Sequence, residues 1–171
     1  MAISRQMFSR FLDTVGDGSG TTNAVGNYSG GEEVFFIAPA ITENFEVSRM
    51  IVSAEDTTGF QAQEYGNLGS ALGTGIVVRV SDADGVKFIL TEEPVTTNAN
   101  WGTYCFDADV KSWGSGNELL LARWTFALSG TPVRLNPGDK LEVVLNDDFS
   151  GLISHRFLTQ GVTQVTNVSV D

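Results

Sequence analysis

The segment Leu119–Asp148 limits the choice of fold more than any other stretch of the chain. Leu120, Ala122, Trp124, Phe126 and Leu128 fall on one face of an extended strand, with Arg123 and Thr125 on the other. Leu141, Val143 and Leu145 then alternate against Lys140, Glu142, Val144 and Asn146. Between the two runs, Asn136-Pro137-Gly138-Asp139 has the chemistry of a type II turn. Proline presets φ at the second position, and glycine supplies a positive φ at the third. The pair reads as an organising hairpin. A strand face carrying a tryptophan and a phenylalanine has to be buried against another layer, so the segment predicts a β-sandwich.

The rest of the composition agrees. A chain of 171 residues is long enough for one core and short for two. Hydrophobic residues make up 42% and charged residues only 18%, which leaves much of the surface to Ser, Thr, Asn, Gln and Gly, as in strand-and-turn proteins. A net charge of −11 disfavours a nucleic-acid partner. The single cysteine, Cys105, has no partner for an internal disulfide and reads as a small buried hydrophobe. No apolar run approaches the roughly 18 residues of a membrane span, and polar residues from Ser4 to Arg10 interrupt what would be the apolar centre of a signal peptide. No membrane partner is expected.

Residues 1–12 differ from the rest of the chain. They carry +2, from Arg5 and Arg10, whereas the remaining eight basic and 21 acidic residues give −13. Ile3, Met7, Phe8, Phe11 and Leu12 fall near one face of a short helix flanked by the arginines. A twelve-residue helix is marginal alone and should dock. It would either close the end of its own sandwich or form an arm whose Arg5, Met7, Phe8, Arg10 and Phe11 contact an acidic neighbouring subunit. Asp13–Gly31 contains six glycines and reads as a long polar loop. The expected organisation is therefore an arm and loop over 1–31 and a sandwich over 32–171.

Along the sandwich, Val34–Ala38 is apolar on both faces. Phe35, Phe36 and Ile37 make it a strand covered twice or one that meets a partner subunit. Phe45–Asp56 changes phase, with Phe45 and Val47 facing one way and Met50 and Val52 the other, as a β-bulge near Ser48–Arg49 would produce. Residues 57–73 read as a glycine-punctuated connection. Ile76, Val78 and Val80 alternate and return through Asp82-Ala83-Asp84-Gly85 to Val86, Phe88 and Leu90, which predicts a hairpin. Glu92–Gly116 reads as irregular. Its Trp101, Tyr104 and Trp113 sit beside amides and carboxylates, a mixture suited to end-capping of the core, to a protein interface or to stacking on host glycans. Gly161 is expected to break the strand after Gln160, leaving Val162–Asp171 as a polar, β-branched tail that either adds an edge strand or swaps onto a neighbour.

Candidate chemistry is sparse, and no catalytic residue is nominated. The only histidine, His155, alternates with Ile153 and Phe157 and reads as a partly buried structural imidazole. No nucleophile elbow and no phosphate-binding loop occurs. The acidic doublets Glu32-Glu33, Glu92-Glu93 and Asp147-Asp148 place neighbouring carboxylates on opposite faces of a strand, unsuited to attack on one glycosidic bond. Asp13 and Asp17, with Ser19, faintly match an oxygen-rich calcium loop but lack the closing bidentate glutamate. Asp82 and Asp84 are equally weak metal candidates. No cofactor is expected, and the chain reads as a non-enzyme.

Four stretches carry a resemblance: FLDTVGDGSGTTNA (Phe11–Ala24), Glu64-Tyr65-Gly66-Asn67, Thr97-Asn98-Ala99-Asn100-Trp101, and VRLNPGDKLEVVLNDDFSGLISHRFLTQG (Val133–Gly161). In these the chain resembles a group of virion structural proteins of tailed phages, many of them marine. Independently of that resemblance, about eight strands spaced with turns, without the tryptophan and paired cysteines of an immunoglobulin sandwich, favour an all-β, jelly-roll-like antiparallel sandwich with a short N-terminal helix or arm. The resemblance implies a particle component assembled in the host cytoplasm, such as a capsid decoration or cement protein, without enzymatic activity. Its partners would be the major capsid protein and copies of itself, with a trimer favoured. A tail- or fibre-associated adhesin module that binds host glycans is the alternative.

Overall fold

The computed structural model describes residues 3–20, 25–57, 60–61, 64–65, 68, 70–91, 106–112, 116–126 and 131–166. These form strands and no α-helix. In chain order they are β1 (Ile3–Phe11), β2 (Glu33–Ile37), β3 (Glu43–Asp56), β4 (Phe60–Gln61), β5 (Glu64–Tyr65), β6 (Val77–Asp82) and β7 (Gly85–Ile89). After them come β8 (Phe106–Ser112), β9 (Glu118–Trp124), β10 (Val133–Leu135), β11 (Lys140–Leu145) and β12 (Ser154–Thr166). The large sheet has the order β1-β12-β3-β9-β8, with β10 also pairing β3; the small sheet has the order β2-β11-β6-β7, and β4 and β5 form a separate hairpin. We number the eight principal strands β1, β2, β3, β6, β7, β9, β11 and β12 from first to eighth. The sheets then run 1-8-3-6 and 2-7-4-5, the interlocked Greek keys of a jelly roll.

The core lies between the two sheets. Phe45, Val47, Met50, Val52 and Ala54 of β3, with Leu120, Ala122 and Trp124 of β9, face Ile37, Val78, Val80, Leu141, Val143 and Leu145 of the small sheet; all are buried. Trp124 is 1% exposed, as the alternation in its segment requires. Burying each large apolar side chain of this kind contributes about 1.5–3 kcal/mol.

The expected bulge is present. Gln160 lies opposite Arg49 but Gly161 lies opposite Val47, so Ser48 is the extra residue of β3. The slip lets both apolar sets of β3 face the same core. Gly161 sits where a Cβ would run into the Glu46 carbonyl oxygen and lie 2.9 Å from the Val47 Cα.

Four expectations are corrected. The N-terminal helix is absent: Ile3–Phe11 is a strand paired with β12 along its whole length, from Ile3 opposite Thr166 to Phe11 opposite Leu158. Pairing satisfies one side of its backbone through a ladder, which is stronger support than a marginal helix could give itself. The organising hairpin is a corner. The turn is as read, with the Asp139 N–H donating to the Asn136 carbonyl at 2.9 Å and Gly138 at φ 95°. It joins β10 of the large sheet to β11 of the small one, because turn chemistry specifies a reversal and not the partner on either side. Gly161 does not end a strand, since β12 continues through it to Thr166 between β1 and β3. Part of the region read as irregular is a strand: β8 pairs with β9 from Phe106 opposite Trp124 to Ser112 opposite Glu118.

The close approach at the bulge gives a test. Gly161→Ala should lower unfolding free energy by about 3 kcal/mol, read as a shifted urea midpoint at constant slope. Gly31→Ala, where an added Cβ meets nothing within 4 Å, should stay within about 0.5 kcal/mol of wild type.

Candidate functional site

The candidate residues are best located by what each polar group already touches. At one end of the sandwich, the loop around Tyr28 is tied to the turn before β12. The Tyr28 N–H donates to the Asp147 carbonyl, and the Phe149 N–H donates to the Gly26 carbonyl, each at 2.9 Å. The Asn27 amide donates to Asp148 Oδ2 at 3.0 Å. These bonds bring the Tyr28 hydroxyl to 2.9 Å from His155 Nε2. The rings of Tyr28, Phe35, Phe149 and Phe157 surround the imidazole, with centroids 5.0–6.0 Å away.

His155 is 1% exposed, and among the described residues its Nδ1 has no hydrogen-bond partner. Desolvation by burial lowers its pKa to about 4, so the ring is neutral at neutral pH. Among the described residues, the imidazole is enclosed by aromatic rings and its side chain bonds to the Tyr28 hydroxyl. It joins the loop to the core. Sequence reasoning placed it in a buried strand but could not supply Tyr28, which lies 127 positions away.

Three of the carboxylates named as weak metal candidates, Asp13, Asp17 and Asp82, serve as loop closures. Asp13 is buried, and its carboxylate accepts the N–H groups of Val15 at 3.0 Å, Gly16, and Gly20 at 2.8 Å. Asp17 accepts the Ser19 N–H at 2.8 Å, and hydrogen bonds from Ser19 hold its pKa below the usual value. Asp82 accepts the Asp84 N–H at 2.8 Å and lies 3.6 Å from Lys87 Nζ. Among the described residues, no group of three or more His, Cys, Asp or Glu side chains converges as a metal site would require.

Asp147, read in the sequence as half of an acidic doublet, has the same role. It accepts N–H groups from Gly73, Thr74 and Gly75 at 2.7–2.9 Å. Its neighbour Asp148 turns outward to Ser150, whose hydrogen bonds lower its pKa. The doublet therefore diverges. Asp139 is buried, which raises its pKa, but the Lys87 ammonium and the Asn136 N–H outweigh burial and leave it below the usual value.

The interface candidates are divided between core and surface. On β1, Arg5 pairs with Glu46 at 2.8 Å, and Arg10 pairs with Glu43 at 3.6 Å while lying over the Phe45 ring. Phe8 stacks on Phe45 with centroids 4.9 Å apart, Phe11 is half-buried, and Met7 is 91% exposed. On β2, Phe35 and Ile37 point into the core. Phe36 faces outward under Lys140, whose Nζ is 4.6 Å from the ring centroid. Trp101, Tyr104 and Trp113 lie outside the described residues.

One edge of the small sheet leaves apolar side chains open. Every residue of β7 is exposed, including Val86, Phe88 and Ile89. The returning strand of the expected hairpin thus buries only Leu90, just past its end. The sequence carried the alternation but not the edge position that leaves it uncovered.

Burial of His155 has a pH signature. Its folded pKa lies below the value of 6.5 for an unfolded chain, so the unfolded state binds the proton more readily. The stability of the neutral ring is full above pH 6.5 and is lost as pH falls toward 4, by about 3 kcal/mol in total. The difference in unfolding free energy between wild type and His155→Phe should change by that amount between pH 7 and pH 4. A pH-independent difference would contradict the buried neutral ring. In comparisons with family models, curated proteins and solved structures, nothing matches this chain.

Proposed function

We propose that the chain is a non-enzymatic structural component of a tailed-phage virion, a decoration protein repeated over the major capsid lattice. The observation that carries this reading is the division of labour among its side chains. Groups that could do chemistry, namely His155, Asp13 and Asp147, hold loops together from buried positions. Apolar residues of β7 stand exposed on a sheet edge. That is the arrangement of a protein that touches other proteins, not one that turns over a substrate.

Further support comes from the resemblance in Val133–Gly161, which spans β10, the corner turn, β11 and the first half of β12. Jelly rolls are used in viral capsid and lectin domains. Fold alone does not assign function, but it suits a subunit that must tile a surface. The net charge of −11 would keep the exposed surface soluble and repel packaged DNA. With arginines bonded to Glu43 and Glu46 in the same chain, β1 is not a basic arm free to reach an acidic neighbour. Contact with the lattice is assigned instead to Val86, Phe88 and Ile89.

Imaging of purified particles should find the chain in symmetric copies on the capsid. The double substitution Phe88→Ser with Ile89→Ser should reduce occupancy at least tenfold with the thermal transition unchanged. Absence from purified particles would overturn the proposal, and density confined to the tail would favour the adhesin alternative.

A further inference from the structure

We propose that β1 is an open sheet edge to which a second copy of this chain adds its own β1, antiparallel, about a two-fold axis through Met7. The inference does not rest on the virion reading, because it concerns the chain by itself.

An edge strand presents unpaired N–H and C=O groups, and proteins normally blunt such edges with bulges, charges, short length or a covering segment. The other edges of this sandwich carry those devices. β2 is bridged by Asp13, which exchanges backbone hydrogen bonds with Phe36. β7 has five residues, and its pairing with β6 is irregular at Val80/Ser81. β8 is seven residues long and carries three charges, Asp107, Asp109 and Lys111. β1 is the longest described edge strand: it runs nine residues without proline, carries two charges, and its register with β12 is unbroken. Among the described residues, no backbone group outside β12 hydrogen-bonds to the backbone of Ser4–Ser9.

Charge points to the same edge. Copies carrying −11 each repel one another, but β1 contains no acidic residue. Its two arginines are paired within the chain, to Glu46 and Glu43. A second copy can approach here without meeting an uncompensated charge.

The register comes from symmetry. Residues directly opposite in an antiparallel pair share a face of the sheet, so a two-fold axis must pass through a residue paired with itself. Met7, the midpoint of Ile3–Phe11, centres the pairing on Arg5–Ser9, clear of Arg10 and Phe11, against which Gly18 and Gly20 of the following loop pack. Ser9 then faces Arg5, and Phe8 faces Gln6. No arginine opposes an arginine, an arrangement that would be destabilising. Met7, the most exposed large apolar residue described, meets its own copy. A groove of about 670 Å³ beside it, lined among others by Ser9, Arg49, Gln160 and Val162, offers room for the second methionine. The product is one continuous sheet across two sandwiches, a form of β-strand addition.

The experiment is sedimentation velocity on the full chain over a wide concentration range, for wild type and Met7→Lys, with thermal unfolding of both. The wild type should form a dimer that strengthens with added salt, as screening reduces the repulsion of the acidic surfaces. Met7→Lys puts like charges face to face on the axis and should weaken dimerisation at least tenfold while the domain stays folded. A second measurement fixes the register. In a Cys105→Ser background, a nitroxide at Met7→Cys should show strong dipolar broadening, because paired positions have Cβ atoms about 5 Å apart. A chain that stays monomeric, a trimer, a dimer indifferent to Met7→Lys, or labels without coupling would each overturn the proposal. A dimer that does not decorate particles would overturn the proposed function and leave this inference standing.

Discussion

The sandwich depends on a one-residue slip in β3. Its fourteen residues pair with β12 along most of their length, with β9 at one end and with β10 at the other. A strict alternation could not do this and keep Phe45, Val47, Met50, Val52 and Ala54 all in the core, since the two sets differ in phase. Placing Ser48 and Arg49 consecutively on the partly exposed side restores the phase. The cost is a backbone approach on the neighbouring strand so close that only glycine fits, which accounts for Gly161 in the middle of a thirteen-residue strand. The Arg49 guanidinium bonds Gln160 across the slip and holds the irregular pair together.

The same feature shows what the sequence conveyed. The change of period at Ser48–Arg49 is local, and it can be read directly. Gly161 misleads as a strand breaker because its reason lies on another strand more than a hundred residues away. The corner at Asn136–Asp139 divides in the same way: φ preferences of proline and glycine predict the turn, but membership of β10 and β11 in different sheets is a tertiary choice. In the first twelve residues, Ile3, Met7, Phe8, Phe11 and Leu12 satisfy a helical stripe. The decision went to β12, whose unpaired side offered a ladder from Leu158 to Thr166.

The polar groups were the least legible. A carboxylate in a glycine-rich stretch has the same appearance in sequence whether it binds a cation or closes a turn. Asp13 and Asp147 are separated from metal ligands by their surroundings: each receives three backbone N–H groups, which supply the compensation a cation otherwise would. Tyr28 and His155 are a pair only because the 25–31 loop is bonded to the turn at 147–149. No spacing rule could anticipate that contact.

This use of polar groups bears on where function can reside. Long glycine-rich loops are entropically costly to order, and this chain has one cysteine and so no internal disulfide to restrain them. Buried carboxylates capturing runs of N–H groups do that work, which ties the charges with the most chemical potential to the scaffold. The surface is then left with what the scaffold does not use, namely acidic solubilising groups and the apolar or open edges of β1 and β7. A jelly roll has four sheet edges by construction, and here three of them expose large apolar side chains: Met7 on β1, Val86, Phe88 and Ile89 on β7, and Val110 on β8. Edge and apolar surface coincide because a strand left unpaired on one side is also uncovered by neighbouring side chains. Where a strand is added at an edge of this kind, the backbone ladder and side-chain contact act together.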